Sequence, residues 1–138
     1  MMEISTDWVA LLDEDEDDYL FWQHGFRSWA AHLEIRWFAS AHSFLTAVGL
    51  GQANPAALMI DGVAPRGEEI KWLSTLLLHP SCEQACLIML SEEFEDQAHQ
   101  SYLRLGATDH IIKPANLTEL QASVLTVSRH VATRRLKK

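Results

Sequence analysis

Three short apolar runs in this chain, and one further short strand pattern, each stop at a polar residue that can do chemistry. Val9 to Leu12 stops at Asp13 and Glu14, Ala57 to Ile60 at Asp61, Ala85 to Leu90 at Ser91, and Thr108 to Ile112 at Lys113. If those runs lie side by side, three carboxylates, one hydroxyl and one ammonium share a small space. Two like charges about 4 Å apart repel by about 4 kcal/mol at an effective dielectric near 20, so a carboxyl must take up a proton or a cation must sit among them. An all-oxygen set suits a hard ion such as Mg²⁺, which keeps several waters and accepts a phosphoryl oxygen as a further ligand. Lys113 can neutralise a second phosphoryl oxygen and Ser91 can donate to a third. A nucleophile, a metal site and two positioning groups are what phosphoryl transfer to a carboxylate requires. Taken alone, the run Asp13 to Asp18 also reads as a solvated, acidic helix start favoured by the helix dipole. Lys113 alone is unremarkable, whereas Asp61 directly follows a fully apolar strand and is thereby partly desolvated.

The elements that must position these residues follow from the apolar pattern. Strands are expected at Val9 to Leu12, Leu33 to Phe38, Ala57 to Ile60, Ala85 to Leu90 and Thr108 to Ile112. Between them, helical spacing covers Tyr19 to His32, Ser40 to Val48 behind a Ser cap, Glu68 to Leu78 and Phe94 to Leu105. Pro80 stops the third of these, Gly106 closes the fourth, and a last helix runs from Thr118 to about Arg134. Five β-α units in order, without repeats or linkers, argue for a (βα)5 doubly wound parallel sheet covered by helices on both faces. In such a sheet ligands bind beyond the carboxyl ends of the strands, which is where the polar residues fall. The five Trp residues fit core packing better than a ligand box.

At 138 residues, 48% hydrophobic and 22% charged, the chain is expected to form one globular domain over residues 1–138. The net charge of −8 argues against broad electrostatic binding to nucleic acid or to an anionic membrane. The basic residues Arg129, Arg134, Arg135, Lys137 and Lys138 suit the negative end of a C-terminal helix. Met1 to Asp7 lacks a basic stretch followed by an apolar run, and no apolar run is long enough to span a bilayer, so a cytoplasmic chain is expected. Cys82 and Cys86 then read as free thiols. Their spacing from His79 hints at a metal site, but no fourth ligand is evident.

The residues also resemble a family. Leu11 to Asp15, Leu58 to Pro65, Leu87 to Ser91 and Gly106 to Pro114 together resemble the flavodoxin-like receiver domains of bacterial two-component response regulators. The likeness runs from about Trp8 to His130. The spacing from Asp61 to Pro65 and the pair Lys113 and Pro114 are its most specific parts. The resemblance implies that Asp61 is the phosphoacceptor and that Asp13, Glu14, Asp61 and the backbone carbonyl of Val63 serve a Mg²⁺ ion. It makes Ser91 and Lys113 the phosphoryl-positioning pair, with Ser91 and His110 as switch residues, and it allows a cis bond before Pro114.

The partners it implies are a histidine kinase or phosphotransfer protein as donor and a downstream protein target, with a homodimer through the last two β-α units. It does not imply an enzyme. Three residues depart from the pattern: Glu69 and Glu92 stand where small residues are usual, and His110 stands where an aromatic is usual, adding pH dependence near neutrality. These departures also fit a degenerate receiver that binds protein without phosphorylation. An aspartyl phosphatase of the haloacid-dehalogenase type needs a second Asp where Val63 stands. A flavodoxin needs a Ser-, Thr- and Gly-rich loop where Asp13 to Asp18 would repel phosphate.

Overall fold

The computed structural model describes residues 7–51, 53–61 and 68–136. Five parallel strands form one sheet: β1 (Trp8–Leu12), β2 (Glu34–Phe38), β3 (Ala57–Asp61), β4 (Cys86–Ser91) and β5 (Asp109–Ile112), in the order β2-β1-β3-β4-β5. Helices α1 (Glu16–Trp29), α2 (Ala41–Gly49), α3 (Glu68–Leu77), α4 (Asp96–Leu105) and α5 (Leu117–Leu136) connect and follow them. This is the flavodoxin-like (βα)5 arrangement.

The central strands are apolar throughout because both faces of the sheet are covered. Val9, Leu11, Ala57, Met59, Ile88 and Leu90 pack with Trp22 and Phe26 of α1 and with Leu120, Val124 and Val127 of α5. Their neighbours Ala10, Leu12, Leu58, Ile60, Leu87 and Met89 point the other way, into Phe44 of α2, Leu73 and Leu76 of α3 and Tyr102 of α4. The two cysteines are divided by the same alternation. Cys86 lies in the α1/α5 layer and Cys82 in the opposite one, so they share neither a disulfide nor a ligand site, and His79 instead accepts the Ser81 amide.

Local sequence sets the helix ends. α1 begins three residues before the expected Tyr19, because Asp15 caps it by accepting the Asp17 amide at 2.9 Å and three acids fill its first turn. Ser40 caps α2, accepting the Ser43 amide at 3.1 Å. Gly106 ends α4 at φ +115°, a left-handed conformation that favours glycine. Before α5, Asn116 accepts the Glu119 amide while the Glu119 carboxylate reaches back to the Ala115 amide, a reciprocal cap. α4 starts at Asp96, not at Phe94, and the bond before Pro114 is trans where cis was allowed. No helix among the described residues is long and apolar enough to cross a membrane.

Candidate functional site

The sheet register brings the polar strand ends to one edge. Asp61 pairs with Leu90 on the next strand, which leaves Ser91 one step further out, and Ser91 in turn pairs with Ile112 beside Lys113. On the other side, Leu11 pairs with Met59 and Leu12 with Ile60, so Asp13 emerges beside Asp61.

Asp13 is held from three directions. Its amide donates to the Phe38 carbonyl at 3.1 Å, and its own carbonyl accepts the Trp37 indole N–H at 2.6 Å. Its Oδ1 accepts the Asp15 amide at 2.8 Å. The side chain is only 3% exposed, and as a carboxylate its Oδ2 finds no donor. Such an atom is costly unless it meets a proton or a cation. Asp61, 7% exposed, and Asp18 complete a group of three carboxylates whose ligand oxygens lie within 4.8 Å of one another.

Lys113 crosses this group. Its Nζ donates to Asp18 Oδ2 at 2.8 Å and to Asp61 Oδ2 at 3.0 Å, while its amide donates to the Ser91 carbonyl. Burial works against the ammonium, but the two carboxylates outweigh it and raise the lysine well above its ordinary value. Asp13 is pushed up to about 8, first by burial and then by the facing Asp18, to which its protonated form can donate; Asp61 adds repulsion and the Asp15 amide opposes the rise. Asp18 moves down: burial raises it, but hydrogen bonds from Asp13 and Lys113 prevail.

The described residues therefore bring together Asp13, Asp61 and Lys113 of the expected set. Glu14 is exposed and lies outside the group of three carboxylates, where Asp18 stands instead. Asp18 was legible only as one acid in a run. Its place in the first turn of α1 turns it toward Lys113, whereas Glu16 and Asp17 are exposed. Val63 lies outside the described residues, as does the side chain of Glu69. Glu92 is exposed. The donor set fits a hard divalent cation: it is all oxygen, it carries excess negative charge, and one buried oxygen lacks a donor.

Ser91 has a second neighbourhood. Its Oγ lies 2.6 Å from Nε2 of His110, a ring only 8% exposed. The other nitrogen, Nδ1, lies 3.1 Å from Nδ1 of His99 on α4. Phe94 stacks on His110 with centroids 6.1 Å apart, and Tyr102 meets its face edge-on at 5.0 Å. Burial, and then the nearby His99, lower the His110 pKa from its ordinary value, against a smaller opposing pull from Asp109. His99 was not singled out in the sequence, because only the packing of α4 on β5 gives it a partner.

No family model matches the chain, and no curated protein matches it. Solved structures do. The chain is 20% identical to NtrX from Brucella abortus with a TM-score of 0.75, covering 96% of itself but only 28% of that longer protein. It is 15% identical to the phosphorylated cyanobacterial phytochrome response regulator RcpA, with a TM-score of 0.76 and coverage of 91% of this chain and 93% of that one. With the Mn²⁺-bound response regulator Rcp1 it shares 12% identity and a TM-score of 0.73, over 88% of this chain and 91% of that one. Other response regulators and receiver proteins match in the same way. The chain has the fold of response-regulator receiver domains.

Proposed function

We propose that the chain is a single receiver domain that takes a phosphoryl group onto Asp61 in a Mg²⁺-dependent reaction. The observation that carries this reading is the convergence of Asp13, Asp18 and Asp61 around the Lys113 ammonium at the carboxyl edge of a parallel sheet. Two neighbours in fold support it: one was solved phosphorylated and another with Mn²⁺ bound.

In the reaction an oxygen of Asp61 attacks the phosphorus of a phosphohistidine, the P–N bond breaks, and the imidazole leaves with the electron pair. An acyl phosphate remains on Asp61. Lys113 releases part of its bond to Asp61 to meet one phosphoryl oxygen, and the Ser91 hydroxyl donates to another. Asp13 and Asp61, with Asp18 or Glu14 and the carbonyl of Val63, would hold Mg²⁺, whose charge when bound offsets that of the carboxylates and of the incoming phosphoryl group.

The donor is a histidine kinase or a phosphotransfer protein, which gives the chain a cytoplasmic setting. The output is a contact with a downstream protein or with a second copy through the last two β-α units, not turnover of a substrate, so the chain is not an enzyme in the ordinary sense. Intact mass after incubation with acetyl phosphate tests the reading. A Mg²⁺-dependent phosphoryl adduct in the wild type, absent in Asp61→Asn, is expected; no adduct, together with no binding of Mg²⁺ or beryllofluoride, refutes it.

The double engagement of Lys113 favours a second reading. An ammonium already held by Asp18 and Asp61 stabilises the unmodified state. A degenerate receiver that binds its partner without phosphorylation would look the same, and the same mass experiment separates the two.

A further inference from the structure

Ser91, His110 and His99 form one continuous hydrogen-bond chain from the carboxyl edge of the sheet to helix α4. The hydroxyl can donate or accept, and each neutral imidazole carries one N–H and one bare nitrogen. Each link therefore constrains the next. If Ser91 donates to Nε2 of His110, that ring carries its proton on Nδ1 and donates to Nδ1 of His99, which carries its own proton on Nε2. If Nε2 of His110 donates to Ser91, the hydroxyl proton is released for another acceptor, Nδ1 of His110 becomes bare, and His99 must donate from its Nδ1. Two directions are possible, and a mixed one leaves two lone pairs or two protons facing each other.

The surroundings hold the His110 ring in place, and burial works against its charged form. His110 is nearly buried: Phe94 lies nearly parallel to it, Tyr102 stands perpendicular to it, and the His99 ring meets it edge to edge, nearly coplanar, with centroids 5.3 Å apart. Asp109 on β5 accepts the His110 backbone amide at Oδ1, and its Oδ2 is engaged by the His130 ring of α5. The ring nitrogens of His110 are thus taken up by Ser91 on one side and His99 on the other. His99 is half-buried, so its remaining nitrogen can exchange with water.

We propose that His110 and His99 are positioning residues for the Ser91 hydroxyl, and that the direction of the Ser91–His110–His99 chain sets whether Ser91 can donate to a group on Asp61. This rests on the reading of Asp61 as the phosphoacceptor. In the unmodified protein Ser91 donates to His110. A phosphoryl group offers the hydroxyl a stronger acceptor, Ser91 turns its O–H away, and the chain reverses. Each ring keeps one proton: His110 loses it at Nδ1 and gains it at Nε2, and His99 loses it at Nε2 and gains it at Nδ1, through exchange with water. The state of Asp61 is thereby written onto the solvent side of α4 without any change of charge.

The test is imidazole ¹⁵N NMR on the full chain, which distinguishes Nδ1–H from Nε2–H, with His110 and His99 assigned from single-histidine variants. Without ligand, His110 is expected as the Nδ1–H tautomer; with Mg²⁺ and beryllofluoride, it is expected as Nε2–H, with His99 changing in the opposite sense. His99→Phe keeps a ring beside Phe94 but removes Nδ1, and should shift the His110 tautomer even in the unmodified protein. His99→Asn presents polar atoms near the Nδ1 position and should restore it. The rate of phosphorylation by acetyl phosphate should differ between those two variants by roughly three- to tenfold, the scale of one hydrogen bond. Equal His110 tautomers in wild type and His99→Phe overturn the proposal, as does an Asp61 adduct by mass with an unmoved His110. If no adduct forms, both this inference and the function above are overturned; if the adduct forms and only the tautomers fail to respond, the function stands.

Discussion

Replacing Asp13 with Asn should stabilise the metal-free protein. The wild-type side chain is 3% exposed, and its ligand oxygen lies within 4.8 Å of those of Asp18 and Asp61. At that distance each ionised pair costs about 3.5 kcal/mol at an effective dielectric near 20, and Lys113 offsets part of this through the other two carboxylates. Proton uptake sets a ceiling on the cost. With a folded pKa raised to about 8 against an ordinary value of 3.8, the folded protein keeps a proton at pH 7 that the unfolded chain has released. Three pH units of that difference are worth about 4 kcal/mol. Asn keeps an acceptor for the Asp15 amide and gives the other position a donor, so a gain of about 2–4 kcal/mol is expected, or roughly 6–12 °C in Tm. The sign with pH follows. Below 3.8 both states are protonated and there is no penalty; between 3.8 and about 8 the unfolded state binds fewer protons, so wild-type stability falls as pH rises. The variant should lack that fall across the window. Urea unfolding in EDTA at pH 5 and pH 7 measures both effects. Adding Mg²⁺ at about a hundred times its Kd should stabilise the wild type by about 2.7 kcal/mol and the variant much less. If Asp13→Asn is no more stable than wild type at pH 7 without metal, the electrostatic account of the site is wrong.

Three further outcomes are expected. In Gly25→Ala the new Cβ would sit 2.8 Å from Leu120 Cγ and 2.9 Å from Val124 Cγ2, both on fully buried side chains of α5. Overpacking should outweigh the gain in helix propensity, for a net loss of about 1–2 kcal/mol in urea unfolding; a variant as stable as wild type would show that the α1–α5 contact is loose. Trp37→Phe removes the 2.6 Å hydrogen bond to the Asp13 carbonyl and should cost about 1 kcal/mol while weakening Mg²⁺ binding in a titration. Unchanged Mg²⁺ affinity would remove Trp37 from any part in the site. Burial pushes the Cys82 thiol up to about 11, so iodoacetamide at pH 8 should label it only under unfolding conditions, and rapid labelling of native protein by mass would contradict its buried place.

The fold was legible because burial leaves a plain mark on sequence. Strands covered on both faces must be apolar at every position, so Val9 to Leu12, Ala57 to Ile60 and Cys86 to Leu90 announce themselves, and the residue that ends each run is at the sheet edge by construction. That is why Asp13, Asp61 and Ser91 were legible as strand ends without any knowledge of contacts, while Lys113 follows the half-buried edge strand β5. Helix starts were less legible where the residues that cap a helix are the same types that line the site. Six consecutive acids from Asp13 to Asp18 serve as strand-end ligand, cap, first turn and lysine partner in succession, and composition cannot divide those roles.

Asp18 shows where the division comes from. Once Asp15 caps α1, the helical turn leaves Glu16 and Asp17 exposed and directs Asp18 back over the sheet edge toward Lys113, which reaches it from the far end of the chain. The start of the helix fixed by one cap thus decides which acid joins the site, and beginning the helix at Tyr19 hides it. Trp37 and His99 escaped for a related reason. Trp37 reaches Asp13 because β2 pairs with β1 in a register that sets Leu11 against Trp37, and His99 meets His110 because α4 packs over β5. Each is an ordinary residue of an ordinary element until a second element arrives. A side chain at a strand end carries its position in the local pattern, whereas one that supports it from a neighbouring element acquires its role only through register and packing. Supporting residues of this site are therefore the ones that single-sequence reasoning loses.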